Sequence, residues 1–128
     1  MMEHVGFDPG AVYFTFHTEN HNHAKKTEIQ KRLEVKRVYD AFHIYTLDWT
    51  PESATLSFDG RKVLRMDKTK GGLPAWPFFN PMLFIANVAV GGSWGGQQGI
   101  DDDAFPQSML LDYVRIYSLP LENSTRAR

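Results

Sequence analysis

Residues 54–66 have the sequence ATLSFDGRKVLRM, in which two short alternating segments flank an Asp-Gly pair. Asp59-Gly60 is a preferred residue pair for the tight type I′ turn of a β-hairpin. The stretch therefore predicts two antiparallel strands, one from Ala54 to Phe58 and one from Lys62 to Met66. This hairpin indicates that the chain folds through antiparallel β-strands.

The same period-two pattern continues on both sides of the hairpin. Residues 11–18 (AVYFTFHT) are rich in aromatic and β-branched residues, and residues 42–50 (FHIYTLDWT) alternate cleanly between two faces. Residues 82–90 form a nearly continuous apolar run, typical of a strand buried on both faces, and residues 109–117 predict another strand. The sequence thus predicts an all-β fold, an antiparallel β-sandwich of the jelly-roll, concanavalin-like type.

Two segments fit this pattern less well. Residues 25–39 carry much of the charge, and we interpret them as a solvated strand and turn, with a short helix as the alternative. Residues 119–128 form a polar tail. The domain is therefore expected to span residues 1–118.

The amino-acid composition of the chain excludes several classes of partner and site. The chain has 128 residues, which is one domain's worth, and a net charge of −1 without a basic block beyond Lys25-Lys26. Nucleic acid is therefore not an expected partner, and no apolar run is long enough to span a membrane. The absence of cysteine excludes disulfides and thiolate metal sites. Aromatic residues reach 13%, which favours a β-rich core or a surface that stacks on sugars or bases.

Four stretches carry a family pattern in their order and spacing: MMEHVG at 1–6, FHIYTLDWTP at 42–51, WPF at 76–78 running into FIANVAVGGSWGG at 84–96, and FPQSM at 105–109 running into DYVRIY at 112–117. Together they resemble the laminarinases of glycoside hydrolase family 16, in the C-terminal half of the catalytic domain. The resemblance implies a two-sheet jelly roll with a sugar-binding cleft. It also implies a retaining endo-β-1,3-glucanase that acts on β-1,3-glucan such as laminarin.

The family signature is Glu-x-Asp-x-x-Glu on one cleft strand, and Glu3 matches its last Glu, the general acid/base. A retaining glycosidase needs two carboxyl groups about 5–5.5 Å apart. The Asp and the nucleophilic Glu of the signature would fall before Met1. We therefore expect the chain on its own to lack normal activity, as a fragment of an incomplete sandwich.

The resemblance also suggests sugar contacts. It places His17 and Asn87 near the cleft as partners of sugar hydroxyls. Trp94 lies in a Gly-rich loop where an indole has little core to fill, so we expect it to stack on a pyranose ring. Trp76 has two equal interpretations, a packing residue of the core or part of the wall of a sugar subsite.

Metal sites are weakly indicated. His21 and His23 follow His17, but their spacing on an extended chain does not make a strong metal site, and the family has no zinc there. Asp112 matches a residue of a structural calcium site in the family, whose other ligands are expected largely outside this chain. The expected reaction requires no cofactor.

Other functions remain open from the sequence. The main alternative is a non-catalytic β-glucan-binding protein of the same fold. A different polysaccharide, such as agar or carrageenan, is a further alternative, although the loop GGSWGG looks more like laminarinases. The family resemblance implies a secreted or periplasmic protein, although the first residues do not form a signal peptide.

Overall fold

The computed structural model describes residues 2–118, and these residues form two antiparallel sheets of three strands each. The first sheet has the order β1-β2-β3 and the second the order β4-β5-β6. The strands are β1 (Met2–Glu3), β2 (Ala11–Phe16), β3 (Ile29–Glu34), β4 (Tyr45–Trp49), β5 (Ser53–Phe58) and β6 (Arg61–Asp67). The predicted all-β, antiparallel class is confirmed, and the part of the chain that the structure describes contains no α-helix.

Strand β2 has one face in the core and the other on the opposite side of the first sheet. Because side chains alternate along a strand, Val12, Phe14 and Phe16 point to one face. All three are buried, and they pack with the second sheet. The ring of Phe14 lies 6.4 Å from the ring of Phe58 in an edge-to-face arrangement, which joins the two sheets directly.

The core contains residues from both sheets and from two loops. Its buried apolar members are Val12, Phe14, Phe16, Val38, Ala54, Leu56, Phe58, Met66 and Trp76. Ala54, Leu56 and Phe58 of β5 and Met66 of β6 belong to this cluster. The hairpin that the sequence predicts therefore forms one wall of the core.

The hairpin itself is confirmed. Strands β5 and β6 pair antiparallel around Asp59-Gly60, with Phe58 opposite Arg61. Asp59 has a φ of 47° and Gly60 a φ of 78°, and a type I′ turn requires positive φ at both positions. The Asp59 carboxylate accepts hydrogen bonds from the Ile44 backbone N–H at 2.8 Å and from His43 Nδ1 at 2.7 Å. The turn therefore also anchors the segment that leads into β4.

The charged segment between residues 25 and 39 is a strand and turn, as expected. Strand β3 pairs antiparallel with β2 along its full length, from Ala11 opposite Glu34 to Phe16 opposite Ile29. Its charged side chains are exposed. The helical alternative is limited to a single 3-10 turn, His23–Lys25, which ends where the segment begins.

Two predicted strands do not form within residues 2–118. Residues 82–90 and 109–117 have no strand hydrogen bonds within residues 2–118, and their side chains are exposed. Leu83, for example, is 90% exposed, although the apolar run predicts burial on both faces. A strand of this kind needs neighbours on both edges and layers on both faces, and the described residues supply neither.

The predicted tail, residues 119–128, lies outside the described residues. Within residues 2–118 there is no helix long and apolar enough to cross a membrane.

The packing of β2 gives a stability prediction. Phe14 is 1% exposed, whereas Phe84 in the unpaired segment is 64% exposed. Truncating a buried phenylalanine leaves a cavity, so Phe14→Ala should lower the free energy of unfolding by about 3–5 kcal/mol. The matched variant Phe84→Ala should change it by less than about 0.5 kcal/mol. Urea denaturation followed by circular dichroism checks this, and equal losses in the two variants would contradict the assignment of the core.

Candidate active site

The site lies on the face of the first sheet that points away from the core. Strand β1 pairs antiparallel with β2, and Glu3 lies directly opposite Tyr13. Cross-strand partners share a face, and residues two and four positions along β2 share it too. Glu3, Tyr13 and His17 are therefore carried on the same side of the sheet, opposite the buried Phe14.

Glu3 is half-buried, and its carboxylate is incompletely satisfied. Its Oε2 atom is buried and has no hydrogen-bond partner within residues 2–118. A buried carboxylate oxygen without a partner is energetically costly, and such atoms in folded proteins usually have a ligand, ion or functional role. The oxygen is thus available to a group that enters the site.

Two histidines lie beside this carboxylate. One ligand atom from each of Glu3, His17 and His23 lies within 4.8 Å of those of the other two. The rings of His17 and His23 are 4.7 Å apart, centroid to centroid. His23 is held in turn by Glu28, whose Oε1 lies 3.1 Å from Nδ1 of His23. Glu28 has a second oxygen, Oε2, that is also buried without a partner in the described part of the chain.

The environment of His17 favours its neutral ring. Burial lowers the pKa of His17 below its usual value of 6.5, and the neighbouring His23 lowers it further. The carboxylates of Glu3 and Glu28 act in the opposite direction and only partly offset this. A neutral imidazole has one nitrogen that donates and one that accepts, which suits contact with a sugar hydroxyl.

A charged network fixes the neighbouring part of the same face. Arg32 donates from two nitrogens to the two Asp8 oxygens, at 2.7 and 2.8 Å, and the Tyr13 hydroxyl donates to Asp8 Oδ2 at 2.5 Å. The hydrogen bonds from Arg32 and then Tyr13 lower the pKa of Asp8 from 3.8 to about 2. Asp8 therefore stays ionised at and well below neutral pH, and it holds Tyr13 in place next to Glu3.

Trp94 packs on this network. Its ring lies 5.0 Å from that of Tyr13 and 6.1 Å from that of Phe7, edge to face in both cases. The glycines around it allow the loop to fold tightly, because a Cβ at Gly96 would lie 2.9 Å from Gly91 Cα. Trp94 is half-buried, so part of its indole remains accessible. The structure thus brings Trp94 to the cross-strand partner of Glu3.

The other two predicted sugar contacts, Trp76 and Asn87, are not part of the group around Glu3. Trp76 is 1% exposed and belongs to the core, so its burial supports the packing alternative over a sugar-binding wall. Asn87 lies on the exposed segment 82–90, and the expectation of an amide within a buried strand is not met. Among the described residues, the ring contact of Trp76 is with Phe78, and neither Trp76 nor Asn87 belongs to the group of Glu3, His17 and His23.

The residues around Asp112 do not by themselves make a calcium site. Calcium takes six to eight oxygen ligands, as a rule including several carboxylates. Among residues 2–118, the group of three or more carboxylate and imidazole side chains close enough for one ion is Glu3, His17 and His23. Asp112 is exposed and lies outside that group. Calcium at Asp112 stays a prediction that needs further ligands.

The sequence motifs alone do not single out Tyr13, Asp8, Arg32 or Glu28. The alternation in residues 11–17 already sets Tyr13 on the face of His17, so that signal was present. The Asp8–Arg32 pair joins residues 24 positions apart, and only the register of β2 with β3 brings them together.

The pKa of His17 can be checked directly. We expect the folded chain to show a His17 midpoint below 6.5 in a pH titration followed by NMR of the ring protons. His23→Ala should raise that midpoint, because it removes one of the causes of the depression. Since the unfolded chain binds this proton more readily, stability should fall as the pH drops through about 6.5. A His17 midpoint at or above 6.5 would show that its ring is not desolvated.

Comparisons with known proteins identify the family of the chain. The family model described as "Glycosyl hydrolases family 16" matches residues 1–114. A β-glucanase from Rhodothermus marinus is 41% identical over 122 residues, which is 91% of this chain and 43% of the relative. The solved laminarinase from Rhodothermus marinus superposes with a TM-score of 0.77 at 39% identity, covering 82% of this chain and 44% of that structure.

A second solved structure gives the same result. The laminarinase from Flavobacterium sp. UMI-01 has a TM-score of 0.74 at 31% identity and covers 83% of this chain and 45% of that structure. The chain therefore spans less than half the length of these relatives. Because the family model matches residues 1–114 and the sequence and structural relatives agree with it, the chain belongs to glycoside hydrolase family 16.

Proposed function

We propose that this chain forms the acid/base part of a retaining endo-β-1,3-glucanase, with Glu3 as the general acid/base. One observation carries the proposal: the Glu3 carboxylate has a buried oxygen without a partner and lies beside His17 on the sheet face away from the core. The names of the relatives, a β-glucanase and two laminarinases, support a β-glucan such as laminarin as the substrate.

The reaction needs Glu3 in both of its protonation states. In the first step, protonated Glu3 donates its proton to the glycosidic oxygen while a second carboxylate attacks the anomeric carbon. In the second step, ionised Glu3 takes a proton from water as that water displaces the second carboxylate. We expect the second carboxylate ahead of Met1 on the same strand.

Neighbouring groups are suited to hold the sugar. The accessible part of the Trp94 indole offers an apolar face for a pyranose ring, and Tyr13 and Phe7 fix its orientation. The neutral ring of His17 offers a hydrogen-bonding nitrogen next to Glu3. Asn87 remains a candidate for sugar hydroxyls because its exposed amide is free of the buried core.

The two exposed apolar segments support a larger domain. Residues 82–90 and 109–117 have no strand partners among the described residues, and the chain spans 44% of the Rhodothermus laminarinase structure. Contiguous exposed apolar surface of this kind usually marks an interaction site. We infer that both segments pair with strands outside the chain, which would complete the sandwich and its cleft. A polymeric glucan substrate also favours an extracytoplasmic enzyme.

A hybrid enzyme tests the proposal. The part of the Rhodothermus marinus laminarinase that this chain does not match would be joined ahead of Met1, and release of reducing sugar from laminarin would be measured. The hybrid should cleave laminarin. Glu3→Gln should reduce kcat at least about 100-fold, because general acid/base catalysis contributes on that scale. The control Glu52→Gln, at an exposed position between β4 and β5 of the second sheet, should leave kcat unchanged.

Two results would contradict the proposal. Full activity of the Glu3→Gln hybrid would show that another group donates the proton. Laminarin binding by a folded hybrid without any sugar release would favour the alternative, a non-catalytic β-glucan-binding protein. Circular dichroism of each variant separates these results from misfolding.

A further inference from the structure

Three side chains from separate elements converge, and one of them is Glu3, the proposed acid/base. Glu3 comes from β1, His17 follows β2 directly, and His23 begins the 3-10 turn His23–Lys25. Their nearest ligand atoms all lie within 4.8 Å of one another. A single ion of ordinary size needs only small side-chain movements to contact all three.

The chemistry of this group selects a class of ion. Two imidazoles and one carboxylate form a ligand set that suits zinc, copper, nickel or cobalt, whereas calcium and magnesium prefer oxygen ligands alone. Two histidines with one glutamate also make a known type of three-ligand zinc site that leaves a fourth position open. The folded arrangement thus fits a divalent transition-metal ion, although neither the spacing of the histidines along the chain nor the family resemblance predicts zinc here.

Neighbouring groups orient the ligands before any ion arrives. Glu28 engages Nδ1 of His23 at 3.1 Å, which leaves Nε2 as the open ring nitrogen. Carboxylates that hold metal-binding histidines in this way fix the ring and strengthen the ligand. The loop before His23 is also ordered, because the Asn22 side chain accepts a hydrogen bond from Lys25 N at 3.1 Å.

The carboxylate supplies a second, independent sign of a ligand. Glu3 Oε2 is buried and has no hydrogen-bond partner within residues 2–118. A cation at the centre of the three side chains would satisfy this oxygen directly.

We propose that Glu3, His17 and His23 bind one divalent transition-metal ion, such as Zn²⁺, and that the bound ion blocks Glu3 from acting as the general acid/base. The binding part stands on this chain's own residues. The inhibitory part rests on the proposed function, since an ion that occupies the Glu3 carboxylate competes with the proton that Glu3 must donate.

Binding is tested on the chain itself. Isothermal titration with Zn²⁺ in a non-coordinating buffer should show one site per chain, and Co²⁺ should develop the visible absorption of a four- or five-coordinate complex. His23→Ala and His17→Ala should each weaken binding at least about tenfold, and Glu28→Gln should weaken it by about 10–100-fold. His23 is exposed, so its replacement should leave the fold intact.

The matched control is His21→Asn. It removes a histidine from the same loop, while its amide can still donate to the Thr27 carbonyl that His21 Nδ1 contacts at 3.0 Å. Zinc affinity should be unchanged. Wild-type affinity in both His17→Ala and His23→Ala, or an equal loss in His21→Asn, would overturn the site.

Inhibition is tested separately on the hybrid enzyme. Zn²⁺ should lower laminarin cleavage, a chelator should restore it, and His23→Ala should raise the inhibitory zinc concentration at least about tenfold. A hybrid that binds zinc at this site yet cleaves laminarin equally well would overturn the inhibitory part. A hybrid that is inactive even in the presence of a chelator would contradict the proposed function. The zinc titration of the chain would then still test the binding site.

Discussion

The alternation of side chains along β2 is the constraint on which the structure depends. Val12, Phe14 and Phe16 fill the space between the two sheets, and Tyr13 and His17 are thereby directed to the opposite face. A slip of one residue in the pairing of this strand would exchange the two sets. The core and the candidate site are thus two consequences of one register, which the antiparallel partners β1 and β3 fix from both edges.

The same register explains how distant residues are gathered. Glu3 lies opposite Tyr13, and Tyr13 lies opposite Arg32, so one row across the sheet links the acid/base candidate to the Asp8–Arg32 pair. Trp94 then packs on Tyr13 although it lies in a loop far along the chain. Strand pairing holds Glu3 in a fixed position on the sheet, which its proposed role as general acid/base would require.

Sequence alone predicts the features that local chemistry determines. The Asp59-Gly60 hairpin, strand β2 and strand β3 follow from turn preference and alternation, and the resemblance identifies the family and singles out Glu3. The long-range features are not predictable in this way. The apolar run at 82–90 has the composition of a buried strand, but burial depends on partners that residues 2–118 do not supply. The approach of His23 to Glu3 likewise depends on how the loop after β2 folds back.

The most direct test of the account is a crystal structure of the hybrid enzyme, inactivated at the second carboxylate, with a β-1,3-gluco-oligosaccharide bound. The account predicts a Glu3 oxygen within about 3 Å of the glycosidic oxygen, with His17 and Trp94 in contact with the sugar. An oligosaccharide bound on another surface, or a Glu3 carboxylate turned away from the glycosidic bond, would contradict the assignment of this sheet face as the active site.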